Sequence, residues 1–241
     1  MSPPGAPIAA VIVASRGGAR LAQALASVEW AAERIVLDPA GRLGDEPLPP
    51  GVRRARQASE AAAPWVLLLE EHEVVPAPLA TTVRGVAEAS EPPVAYRIPR
   101  DVDLFGTRFA LRGAPVRLAP RAGARVRVGR GVAAELHVDG RANRLREPLL
   151  GRTPGSLAQA VDDLDADAAA LAALLHADGV RPTLRRLAAA PALAGVRALF
   201  ARGPARAFWV RWTLAVFAGY RAMVAYAKLW EMRRAEGSRL R

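Results

Sequence analysis

The sequence predicts an α/β protein built on a mostly parallel sheet, Rossmann-like in its first half, with appended β-hairpins and a helical C-terminal part. Two observations predict it. Short apolar runs at residues 8–14, 34–38, 65–69 and 94–98 alternate with segments of helical period, the rhythm of βαβ units. One of them, within residues 64–73, reads Pro-Trp-Val-Leu-Leu-Leu-Glu-Glu-His-Glu. An apolar run that stops at four ionisable residues is the pattern of a buried strand delivering its carboxyl end to a polar site.

Composition bounds the remaining choices. The chain has 241 residues, 51% of them hydrophobic, enough to fill a sizeable core. It carries 34 Lys and Arg against 23 acids, a net charge of +11, and Lys228 is the one lysine. Such a balance favours anionic partners, phosphates or anionic lipid. No nucleic-acid motif accompanies it, so nucleic acid is not an expected partner. With no cysteine, disulfides and thiolate metal sites are excluded, and three scattered histidines (His72, His137, His176) do not make a histidine-rich centre.

Taken in order, residues 8–14 form a β-branched strand. They are expected as core rather than as a secretory signal, because residues 1–7 lack a basic region. After Ser15-Arg16-Gly17-Gly18, the residues Leu21, Leu25 and Val28 recur at helical spacing, and a second strand at 34–38 closes the first βαβ unit. Residues 39–50, rich in Pro and Gly, form a loop. Residues 57–63 are expected as a short helix, and Leu79, Val83 and Val86 mark another. From 101 to 147 the pattern turns to short β-like pieces read as hairpins or a meander appended to the sheet.

Thr153-Pro154 starts a helix whose Leu157, Val161, Leu164, Leu171 and Leu175 share a face. The adjacent Asp162, Asp163, Asp165 and Asp167 read as a solvated face or, alternatively, a metal site. A helix over 183–200 is expected to break or kink at Pro191. The last helix, after Gly203-Pro204, places Phe208, Trp212, Ala215, Gly219, Met223, Tyr226 and Trp230 on one face, with Arg206, Arg221 and Lys228 opposite. Its bases interrupt the apolar run a spanning helix needs. It reads either as a helix at a membrane interface, with Phe208, Trp212, Tyr226 and Trp230 facing lipid, or as one packed on the protein. Three regions follow: 1–150, 151–202 and 203–241.

Several blocks, in order, resemble lipopolysaccharide-core type glycosyltransferases of family 2. Residues 11–30 with 34–38 resemble a strand, a helix ending L-x-S-V-x-W, and a strand ending in Asp38. Residues 64–73 stand where that family has W-V-L-x-L-D-A-D-E. Residues 96–100, 138–140, 145–150 and 226–231 resemble later segments. The resemblance implies a GT-A fold and a nucleotide sugar at the carboxyl ends of the parallel strands. It also implies transfer to a lipid-linked envelope glycan on the inner face of the cytoplasmic membrane.

What the resemblance implies for chemistry is specific. Its D-x-D aspartates fall on Glu70 and His72, with Glu73 keeping the final acid, so a divalent cation, Mn or Mg, is expected on Glu70, His72 and Glu73. Asp38 and Arg117 are the implied nucleotide-binding residues. The V-H-E segment that supplies a general base falls on Val132-Ala133-Ala134, and alanine cannot accept a proton. Glu135 and His137 are the nearest substitutes and so the catalytic candidates; each also reads as an ordinary surface residue. Turnover and binding without turnover both remain open.

Overall fold

A computed structural model of the chain describes residues 6–14, 17–38, 43–44, 47–89, 94–104, 107–111, 113–129, 132–152, 157–200 and 208–239. The Ser15-Arg16 pair, residues 39–42, the Thr153-Pro154 start and the Gly203-Pro204 start lie outside the described residues, as does Arg206. The chain divides into two units, Met1–Asp103 with Arg112–Arg152, and Leu104–Leu111 with Thr153–Arg241.

The first unit is built on a seven-stranded sheet. Its first strands are β1 (Ala6–Val13), β2 (Ala31–Leu37), β3 (Val52–Ala55) and β4 (Trp65–Glu70), followed in the chain by the short β5 (Glu73–Val74). Next come β6 (Ala95–Arg97), β7 (Arg100–Leu104), β8 (Thr107–Ala110, in the second unit) and β9 (Val116–Pro120). The remaining strands are β10 (Arg125–Gly129), β11 (Val132–His137), β12 (Ala142–Arg144) and β13 (Leu149–Arg152). Across the main sheet the order is β12-β6-β9-β4-β1-β2-β3. β3, β2, β1 and β4 run parallel, β9 is antiparallel to both its neighbours β4 and β6, and β12 is parallel to β6. This is a mixed α/β unit with a mostly parallel sheet. β13 pairs with β5 and β7 in a separate sheet, and β10 pairs with β11.

The central strands are apolar throughout because both faces are covered. Side chains alternate. From β1 and β4, Ile12, Leu67 and Leu69 pack with Leu21 and Leu25 of α1 (Gly18–Ala26) and Leu79 and Val83 of α2 (Ala77–Ala89). Val11, Val13, Val66 and Leu68 point the other way, onto Ala124, Leu136 of β11, and Ala58 of a 3-10 helix, Ala58–Glu60.

Two expectations are corrected in this unit. The segment around 116–118 is not an appended hairpin: β9 lies inside the main sheet between β4 and β6, with residues 116–119 buried. Its buried arginine, Arg117, had broken the apolar pattern that marks an interior strand. Residues 57–63 hold only the three-residue 3-10 helix, and β3 is an additional strand at the sheet edge.

The second unit contains three helices, α3 (Leu157–Ala177), α4 (Leu184–Phe200) and α5 (Phe208–Arg239). The Thr183 hydroxyl accepts a hydrogen bond from the Arg186 N–H (3.2 Å) and caps α4, which runs through Pro191 as one helix rather than breaking there. α5 packs on both α3 and α4. The buried stripe of α3 runs through Ala160, Ala168, Ala172 and Leu175, while Val161 is exposed. Of the expected leucine face, Leu175 is buried and Leu171 packs beside it, while alanines fill the rest of the stripe.

The face expected of α5 is also divided. Ala215, Ala222, Ala225 and Leu229 are buried, and Gly219 meets α4 so closely that a Cβ there would stand 3.2 Å from the Pro191 carbonyl oxygen. Tyr226 packs on the Ala172, Leu175 and Leu229 cluster, whereas Phe208, Trp212 and Trp230 are exposed together with Trp209, Val216 and Met223. Lys228 binds Asp165 (2.8 Å). Among the described residues no helix is long and apolar enough to cross a membrane.

Candidate functional site

β4 carries its ionisable end beside the end of β1, with Val13 opposite Glu70. β2 and β3 lie to one side of β1 and β4 to the other, so the order of strands reverses here, where open α/β sheets form a crevice. The Glu71 N–H continues the ladder to the Val13 carbonyl (3.1 Å). The Glu71 carboxylate is buried and accepts a hydrogen bond from the Gly17 N–H (3.1 Å). Gly17, the residue that caps the start of α1, has φ 77°, a conformation that favours glycine. One acid thereby ties the two strand ends together.

The neighbouring acids turn onto an arginine. Arg117 of β9 has no exposed side-chain surface, and its Nη2 lies 2.9 Å from Glu73 Oε1 and 3.2 Å from Glu70 Oε1. Glu70 Oε1 also accepts the Ala134 N–H (2.6 Å), and Glu70 Oε2 lies 3.4 Å from His72 Nε2. Glu73 Oε1 is 3.8 Å from Arg100, and Glu73 Oε2 accepts the Glu70 N–H (2.9 Å). Burial alone raises the pKa of Glu70, but His72, Arg117, the Ala134 N–H and Arg100 together outweigh it and hold the carboxyl below the usual glutamate range.

Glu70, His72 and Glu73 each offer a ligand atom, all within 4.8 Å of one another, a group able to hold a metal ion. The donor set fits such an ion poorly as it stands. Both oxygens of Glu73 and Oε1 of Glu70 already accept hydrogen bonds, and the guanidinium bridges the two carboxylates an ion would share.

The other expected residues have different partners from those the resemblance implies. Asp38 Oδ2 accepts the Leu43 N–H (2.9 Å). Arg117 is held by the two acids instead of presenting itself to a phosphate. Ala134 and Leu136 of β11 are buried against the sheet, and alternation along a strand sends Glu135 and His137 to the opposite side. Among the described residues no hydrogen bond or ion pair joins either of them to Glu70, His72 or Glu73, although the neighbouring Ala134 N–H binds Glu70.

On the face covered by β10 and β11 lies a cavity of about 510 Å³. Val13 and Leu37, the last residues of β1 and β2, line it, with Arg56, Gln57, Ser59, Arg121 and Arg125 around them. The 3-10 helix in its wall is braced. Glu60 accepts the N–H groups of Arg56 and Gln57 (2.8 Å each), and Glu33 accepts those of Ala62 and Ala63 while pairing with Arg53 (3.2 Å). Sequence reading missed these polar residues, because they come from loops with no periodic signal. The one available cue was the Arg121-to-Arg125 turn centred on Gly123.

No family model matches the chain, and neither does any curated protein sequence. Among solved structures, the crystal structure of S. aureus TarS 1-349 matches at 12% identity and a TM-score of 0.39, covering 95% of this chain and 91% of that one. A likeness of that degree is no ground for assigning fold or function.

Proposed function

We propose that the protein is a glycosyltransferase-like protein of GT-A type that binds a nucleotide sugar in the cavity at the ends of β1 and β2. The observation that carries this reading is the cavity itself: about 510 Å³, at the carboxyl ends of the parallel strands β1 and β2, with Arg56, Arg121 and Arg125 in its lining. Support also comes from the ordered sequence blocks, residues 11–38, 64–73 and 226–231 among them. In its finer form the reading makes the protein a peripheral enzyme on the cytoplasmic membrane surface, transferring sugar to a lipid-linked glycan of lipopolysaccharide-core type.

A second reading, binding without turnover, is favoured by one observation. Ala134 stands where the resemblance calls for the acid, and its N–H binds the Glu70 carboxylate. One experiment separates the two. The purified chain is titrated calorimetrically with a panel of nucleoside diphosphates and nucleotide sugars, then assayed for nucleotide release. Binding is expected, weakened about tenfold by Arg121→Ala or Arg125→Ala, a loss of about 1.4 kcal/mol. Absence of binding across the panel sinks both readings; turnover sinks the second, and binding with no release under any acceptor sinks the first.

A further inference from the structure

We propose that Arg117 is the resident cation of the acidic cluster at the end of β4, so that this cluster takes up no divalent ion. A dication on Glu70 and Glu73 needs their oxygens at roughly 2.0–2.6 Å from a shared centre. Arg117 Nη2, at 2.9 Å and 3.2 Å, bridges the same two carboxylates. An ion entering beside it would bring two positive centres together where little water screens them.

The guanidinium cannot swing aside into solvent to make room. Its strand is interior to the sheet, between β4 and β6, and its side chain is fully enclosed. Arg117 Nε and Nη1 are buried without a partner, so the two carboxylates are what hold it. Each side therefore requires the other. With Arg100 3.8 Å from Glu73, two acids face two fixed positive charges, and the group is balanced without an ion. The remaining candidate ligand, His72, is left with Glu70 Oε2, one carboxylate oxygen rather than a cage.

This inference stands apart from the nucleotide reading, and its test uses Mn²⁺ alone. Electron paramagnetic resonance of free Mn²⁺ is followed as the purified chain is added. No stoichiometric loss of the free-ion signal is expected for the native protein. Arg117→Met uncovers the acids and is expected to bind one Mn²⁺ per chain, binding that the added substitution Glu73→Gln removes. Stoichiometric binding by the native chain that Glu70→Gln or His72→Ala abolishes overturns the proposal. So does a folded Arg117→Met protein, checked by circular dichroism, that binds no ion. If that variant does not fold, the native titration decides the matter.

Discussion

Arg117 Nη2 lies 2.9 Å from Glu73 Oε1, with neither side chain reaching solvent to any useful extent. Removing one partner of such a pair leaves an uncompensated buried charge, which costs about 3–5 kcal/mol. Glu73→Gln should therefore lower unfolding free energy by about that amount in urea titrations, with little change in the slope. Glu70→Gln should cost less, because Glu70 is partly solvated and its contact with Arg117 is longer, 3.2 Å. If the two variants ranked in the reverse order, the pairing described here would be wrong.

Glu71 has a different task from its neighbours. Its carboxylate satisfies the Gly17 N–H across the crevice between β1 and β4. Glu71→Ala leaves that buried donor unsatisfied at a cost of about 1–3 kcal/mol, while Glu71→Gln keeps an acceptor and should recover much of it. Amide exchange at Gly17, measured by NMR, should accelerate in the alanine variant and much less in the glutamine one. Equal exchange in both would remove the tie from the account.

Glu33 predicts an acid limb to the stability curve. Burial raises its pKa, but hydrogen bonds from the Ala62 and Ala63 N–H groups and the Arg53 guanidinium lower it more, and the net direction is down. A depressed folded value means that the stabilisation is fully present above the ordinary glutamate range, about 4.3, and disappears as pH falls through the lower folded value. Glu33→Gln keeps an oxygen for the two N–H groups but loses the charged bond to the exposed Arg53, so it should lose about 1 kcal/mol at neutral pH and show a flatter decline below about pH 4.3. Some slope should persist, since Glu60 and Glu70 are shifted in the same direction. Because Glu33 holds Ala62 and Ala63, just after the 3-10 helix, the nucleotide binding proposed above should weaken in the same variant. A pH curve parallel to that of the native protein would contradict the assignment.

Gly195 and Gly219 allow α4 and α5 to approach closely. A Cβ at Gly195 would stand 3.1 Å from the Ala215 carbonyl oxygen, and one at Gly219 3.2 Å from that of Pro191. Alanine gains up to about 1 kcal/mol of helix propensity over glycine, whereas overpacking against backbone costs about 1–3 kcal/mol. Gly195→Ala and Gly219→Ala should each be net destabilising in thermal unfolding. An increase in Tm would show that the helices can separate freely.

The parts of this molecule legible in sequence are those where burial is continuous. β1 and β4 are apolar up to Glu70 because both faces of the sheet are covered, and the change to acids there marks the strand end without ambiguity. β3, Val-Arg-Arg-Ala, is an edge strand with two exposed arginines, and its backbone pairing leaves no hydrophobic pattern to read. β9 was obscured by Arg117, whose burial depends on acids some 45 residues earlier in the chain. Glu70 and Glu73 could be found from their strand; that they face an arginine, and that Arg56, Arg121 and Arg125 meet at a cavity, depends on tertiary contacts alone.

The exposed side of α5 supplies the test of membrane association. Trp209 and Trp212 are 77% and 51% exposed, Phe208 is exposed beside them, and the Arg234 guanidinium lies 5.4 Å from the Trp230 ring centre. Aromatic rings next to cations suit the headgroup region of an anionic bilayer, and each ring buried there contributes about 1.5 kcal/mol or more. Trp209→Ser with Trp212→Ser should therefore weaken binding to phosphatidylglycerol vesicles roughly a hundredfold in co-sedimentation, leaving the fold intact by circular dichroism. Raising salt should weaken the native protein's binding further, because the basic residues act through screened charge. Vesicle binding that survives the double substitution would locate the membrane contact elsewhere. A native protein that ignores vesicles but sediments as a dimer would instead give this face to a second copy of the chain.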